Sequence, residues 1–178
     1  TRARRLEQLA EGHTLGDYLR FVAHLAHAQQ ERLDAGPVAS LPAPGLLAQC
    51  REYRMPPLAP GGLARPSGWR DTARHLALAV QDALPLAGQA ALQPVLEGRD
   101  AWLEAQAGHL ITGELHNLDA AVAPVIGAAL QVHWTHLARQ LDPAQVARPE
   151  HPNLCPVCGS HPVSSVVRIG GAENGLRY

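Results

Sequence analysis

Cys155 and Cys158, in "LCPVCGSHP", are the residues of this 178-residue chain whose type and spacing point most directly to chemistry. A two-residue spacer curls the backbone so that both sulfurs face one point about 2.3 Å away, the thiolate distance of a tetrahedral metal site. Pro156 presets the turn, and Gly159 tolerates the positive φ needed after the second cysteine. Backbone N–H groups of such a turn point at the sulfurs and reduce their charge. A thioredoxin-type redox pair is the main rival. That chemistry wants its first cysteine at a helix N-terminus, whereas Gly-Ser-His-Pro and a β-branched run follow here. Cys155 and Cys158 are therefore assigned as metal thiolates. Two thiolates do not close a structural tetrahedron. His161 is a candidate third ligand, constrained by Pro162. The favoured completion is a second cysteine pair beyond Tyr178.

The remaining candidates are weaker. His24 and His27 lie off the apolar stripe of their helix and are expected in solvent. His133 lies on an apolar stripe and is expected to be a hydrogen-bonded core histidine, with His136 at the margin. No carboxylate stands in the Glu-x-x-His register of bundle metal sites. Cys50 is expected to be a small packing residue. The sequence has no G-x-S-x-G, P-loop, dinucleotide fingerprint or HExxH. No catalytic centre is nominated, and the chain is not expected to be an enzyme.

Helices must position the cysteines. "TLGDYLRFVAHLAHAQQERLD" places Leu15, Tyr18, Leu19, Val22, Leu25, Ala26 and Leu33 on one helical stripe. Thr14 and Asp17 resemble a capping pair, and Gly36-Pro37 closes the run. Residues 1–11 predict a short preceding helix. Residues 36–68 hold seven of the fifteen prolines and predict an irregular segment wrapped on the core, with a short helix over 46–54. A helix from Trp69 carries Ala73, Leu76, Ala77, Val80 and Leu84 on one face. Pro85 and Pro94 break up the following stretch, and Gly113 interrupts the helices after it. "PVIGAALQVHWTHLARQL" predicts a last amphipathic helix, with Pro124 in its first turn.

The predicted fold is mainly α: a helical domain over 1–141, a linker over 142–154, and the start of a small rubredoxin-like or zinc-ribbon β module over 155–178. "VSSVVRI", the turn "GGAENG" and "LRY" predict a β-hairpin behind the cysteine turn.

Composition narrows the classes. All 15 basic residues are Arg and the formal net charge is −1, so the basic excess of a nucleic-acid binder is missing. No apolar run approaches the ~20 residues of a membrane span, and stable membrane insertion is not expected. Three cysteines make no disulfide framework, and the cytoplasm is the expected compartment. The chain opens at Thr1 and stops at "GLRY", which reads as the opening of a strand, so both ends are expected to be cut.

"CPVCGSHPVSSVVR" followed by "GGAENGLRY" closely resembles the first cysteine motif and hairpin of the bacterial formate dehydrogenase accessory (formation) proteins. "RLEQLAEGHTLGDYLRFVAHLAHAQQ" is similar to that family's opening helices. The resemblance implies a helical N-terminal domain followed by rubredoxin-like modules with several C-x-x-C pairs. It also implies a cytoplasmic protein that binds the catalytic subunit of formate dehydrogenase during maturation. The motif carries over onto Cys155 and Cys158 alone, and the later pairs of the family's pattern are absent from these residues. The resemblance favours iron over zinc. The alternative functions are a rubredoxin-type iron electron-transfer protein and a zinc-ribbon adaptor.

Overall fold

The structure is a computed structural model that describes residues 2–36, 39–62, 65–151 and 153–162. Those residues form eight α-helices: α1 Arg2–Ala10, α2 Gly16–Asp34, α3 Pro44–Glu52, α4 Gly68–Gln81, α5 Leu86–Ala91, α6 Gln93–Leu96, α7 Asp100–Thr112 and α8 Ala123–Gln140. Short 3-10 turns occupy Pro60–Gly62, Leu115–Asn117 and Pro143–Gln145. The chain divides into two compact units. One comprises Thr1–Leu41 and Ala64–Gln140; the other comprises Pro42–Leu63 and Leu141–Tyr178.

The first unit is built on α8, which packs against α2, α4 and α7. Its buried residues, among them Val125, Ile126, Ala129, Leu130, Val132, His133 and Leu137, form one broad face, with Gln131, Ala138, Arg139 and Gln140 exposed. A face this broad suits a helix that packs against several neighbours at once. α4 supplies a single face, Trp69, Thr72, Ala73, Leu76, Ala77 and Val80, at the i, i+3, i+4, i+7 spacing its sequence predicts. Leu92, Val95, Leu103 and Ala107 complete the same core from α6, α7 and the turn before α6.

The stripe predicted for α2 is only partly the buried one. Of that stripe Leu25 is buried and Leu19, Val22, Ala26 and Leu33 are half-buried, but Leu15 is 58% exposed and Tyr18 56%, and the other buried positions are Gly16, Ala23 and Ala28. The cause is the close approach of α1. A Cβ on Gly16 would stand 2.7 Å from the carbonyl oxygen of Ala10, so small side chains take the contact and large ones are left on its flanks. The predicted Thr14 cap is also replaced. Leu15 is the N-cap, without a side-chain cap bond, and its N–H donates to His13 Nδ1 across 3.0 Å.

The expected rubredoxin-like β module is corrected. No strand occurs among the described residues, and residues 155–162 run through turns and irregular backbone. The hairpin predicted over "VSSVVRI" and "LRY" lies outside the described residues. β-branched alternation reports which side chains suit a pleated surface and does not choose a backbone partner. In the described structure the cysteine turn takes its partner from the proline-rich segment, not from a β-ladder.

Candidate functional site

The site is built within the second unit, from a helix that is made to end in a particular direction. Pro44 starts α3, where its missing N–H costs nothing. The helix stops in a Schellman turn: the Met55 N–H donates to the Cys50 carbonyl at 2.8 Å, and the Arg54 N–H donates to the Arg51 carbonyl at 3.3 Å. The left-handed position, usually glycine, is filled by Arg54 with φ +53°. This turn sends the chain into Pro56, Pro57 and Leu58. Leu58 is fully buried, and its N–H donates to the Val157 carbonyl across 2.9 Å.

Val157 lies between the two cysteines. The turn is closed by the Gly159 N–H donating to the Cys155 carbonyl at 2.8 Å and the Cys155 N–H donating to the Ser160 carbonyl at 2.9 Å. Gly159 has φ +74°, and a Cβ there would lie 3.2 Å from Cγ of Pro56. A side chain at this position would be both strained and obstructed.

Both cysteines are partly buried free thiols. Burial raises the Cys155 pKa, but hydrogen bonds from the N–H groups of Cys158 and Val157 and from the Cys158 thiol outweigh it. The net effect is a pKa below the ordinary thiol value. Cys158 Sγ lies 3.2 Å from Ser160 Oγ. The donor set is thus two sulfurs in a turn that already stabilises thiolate charge, which suits a thiophilic metal such as iron or zinc. Among the described residues no third His, Cys, Asp or Glu joins them, and His161 is exposed.

The other candidates fall elsewhere. Cys50 is buried in α3. His24 and His27 are exposed, and His27 Nε2 lies 3.4 Å from Glu7. His133 and His136 are both buried. The expected hydrogen bond of His133 is missing at one nitrogen, because its buried Nδ1 has no partner among the described residues. Its ring makes an edge contact with Trp134, centroids 5.1 Å apart. Burial lowers the His133 pKa first, the Arg65 and His136 charges lower it further, and Glu104 opposes them.

Sequence reasoning placed the cysteines and missed their support. Pro56-Pro57 does signal a rigid turn. Nothing in "REYRMPPL" marks Leu58 as a partner for a residue ninety-nine positions later. Ser160 likewise stands out only once the turn is seen.

Helices and a C-x-x-C turn held by a proline-rich segment define a class: a mainly helical protein with a paired-cysteine turn. The family model "FdhE, N-terminal" matches residues 1–151, and "FdhE, central domain" matches residues 154–178. The chain belongs to the FdhE family, which bears out the resemblance read from its cysteine motif and first long helices. It is 42% identical over 177 residues to the Protein FdhE homolog of Pseudomonas aeruginosa, covering 99% of this chain and 57% of that protein. To Protein FdhE of Salmonella arizonae it is 35% identical over 178 residues, again with 99% and 57% covered. The crystal structure of the FdhE protein from Pseudomonas aeruginosa matches with a TM-score of 0.85 at 40% identity, over 99% of this chain and 61% of that one. The chain therefore spans a little over half the length of these relatives. Among the described residues no helix is long and apolar enough to cross a membrane.

Proposed function

We propose that this chain is part of a non-enzymatic accessory protein that acts in the cytoplasm on the maturation of formate dehydrogenase, by binding its catalytic subunit. The observation that carries this reading is membership of the FdhE family along the whole chain, together with the resemblance to formate dehydrogenase accessory proteins. Cys155 and Cys158 serve as two thiolates of a metal site, for iron in the first instance and zinc in the second. The turn hydrogen bonds and the lowered Cys155 pKa support that role. When bound, the metal crosslinks and stiffens the turn. The remaining donors would come from outside the described residues.

The test is genetic and biochemical. A strain lacking the gene should lose formate dehydrogenase activity and regain it with the full-length gene, and the full-length protein should co-purify with the catalytic subunit. Normal activity in the deletion strain, together with no association, would sink the reading.

A further inference from the structure

The cysteine turn is gripped from outside itself. We propose that Pro56–Leu58 is a positioning element of the thiolate site, fixing the backbone of the Cys155–Cys158 turn before a metal arrives. This rests on the metal reading of Cys155 and Cys158 given above.

One peptide unit carries the argument. The carbonyl of Val157 accepts from Leu58 N–H at 2.9 Å. The N–H of the same peptide group is that of Cys158, inside the turn that the Gly159 N–H closes on the Cys155 carbonyl at 2.8 Å. A trans peptide is planar, with its C=O and N–H pointing in opposite directions. Holding the carbonyl on one side therefore fixes the plane of the peptide that joins Val157 to Cys158, and with it the direction of the N–H between the two cysteines. Leu58 is fully buried and Pro57 is buried too, so the donor has little freedom to move away.

Pro56 adds a second restraint. Its ring lies against the open side of Gly159, the residue that turns the chain after Cys158. The left-handed φ of Gly159 and the closeness of the ring both disfavour a Cβ there. The Schellman end of α3 supplies the direction, because it leads the chain to Pro56 beside Gly159 and Leu58 beside Val157. Groups that orient metal ligands through hydrogen bonds change metal affinity by roughly 10–100-fold when removed.

The experiment titrates the full-length protein with cobalt(II) against a competing chelator, following the thiolate-to-cobalt charge-transfer band. Subtracting the Cys155→Ser protein isolates the signal of this site. Gly159→Ala should weaken cobalt binding roughly 10–100-fold with helical circular dichroism unchanged, and Pro56→Ala added to it should recover part of the loss. Leu58→Pro, which deletes the N–H, should weaken binding similarly and shift the band. If Leu58→Pro does not fold, the Gly159→Ala and double-variant pair decides alone. Wild-type affinity in Gly159→Ala, or no recovery in the double variant, overturns the positioning role while the metal reading stands. Absence of a Cys155-dependent band in the wild-type protein overturns the metal reading and this inference with it.

Discussion

The indole N–H of Trp69 donates to Oε1 of Glu104 across 2.9 Å, tying the first turn of α4 to α7. The same oxygen accepts from Arg70 at 2.5 Å, and Oε2 accepts from Arg65 at 3.2 Å. Asp100 lies 3.4 Å from Arg70 and also pairs with Arg74, which extends the network along α4. Trp69 is fully buried, so it fills the core and anchors the network at once.

Trp69→Phe keeps most of the apolar volume and deletes the donor. A hydrogen bond to a charged group contributes about 1.5–3 kcal/mol, and the smaller ring leaves a void that adds to the loss. Urea unfolding should show a stability decrease of at least about 1.5 kcal/mol. A change below about 0.5 kcal/mol, the level of an ordinary surface substitution, would mean the indole bond contributes nothing.

His133 makes the first unit acid-sensitive. Its folded pKa is lowered by burial, then by Arg65 and His136, against the opposing pull of Glu104. Above the unfolded-state pKa of about 6.5 both states are neutral, and the histidine adds no pH dependence. As pH falls below that value the unfolded chain binds the proton first, so stability drops toward the lowered folded pKa. His133→Leu should flatten the decline in urea midpoint between pH 7.5 and 5. Equal slopes in the two proteins would remove His133 from the account.

Arg54 stands where a Schellman turn favours glycine. Its side chain is exposed, so little packing is lost by removing it. A non-glycine residue in the left-handed region costs roughly 1–2 kcal/mol, partly offset by the greater unfolded-state freedom of glycine. Arg54→Gly should raise thermal stability by up to about 1 kcal/mol, read from melting curves. A loss of stability would show that the arginine side chain holds the turn.

The metal-free protein should expose a reactive thiol at Cys155. Because its pKa lies below the ordinary thiol value, iodoacetamide labelling of Cys155, followed by peptide mass spectrometry, should reach half-maximal rate at a lower pH than free cysteine. A midpoint at or above that of free cysteine would show that burial wins over the turn hydrogen bonds.

Much of the helical architecture is legible in the residues, for a physical reason. α4 faces a single core, so its apolar positions recur at helical spacing and Trp69, Leu76 and Val80 could be assigned to the interior. α8 was recognisable as an amphipathic helix, but the breadth of its buried face was not, because a narrow stripe leaves out Val125, Ala128 and Val132. α2 misled because the tightest contact belongs to Gly16, Ala23 and Ala28, and small residues carry little weight in a hydrophobic pattern. Gly113 marked the end of α7, where it takes the left-handed position with φ +77°. The cysteine pair was readable from spacing alone. Its clamp was not, because the Leu58–Val157 bond joins backbone groups, which every residue type carries.

That bond has a consequence for how the protein is made. Residues 42–63 leave the ribosome well before the Cys155 turn that Leu58 must hold. At about 5–20 residues per second, the hundred or so residues between them take roughly 5–20 seconds to synthesise. For that interval the Leu58 N–H has no Val157 carbonyl to bind, while α4, α7 and α8 are being produced in between. The helical core can therefore close on the nascent chain first, and the thiolate turn is completed after it.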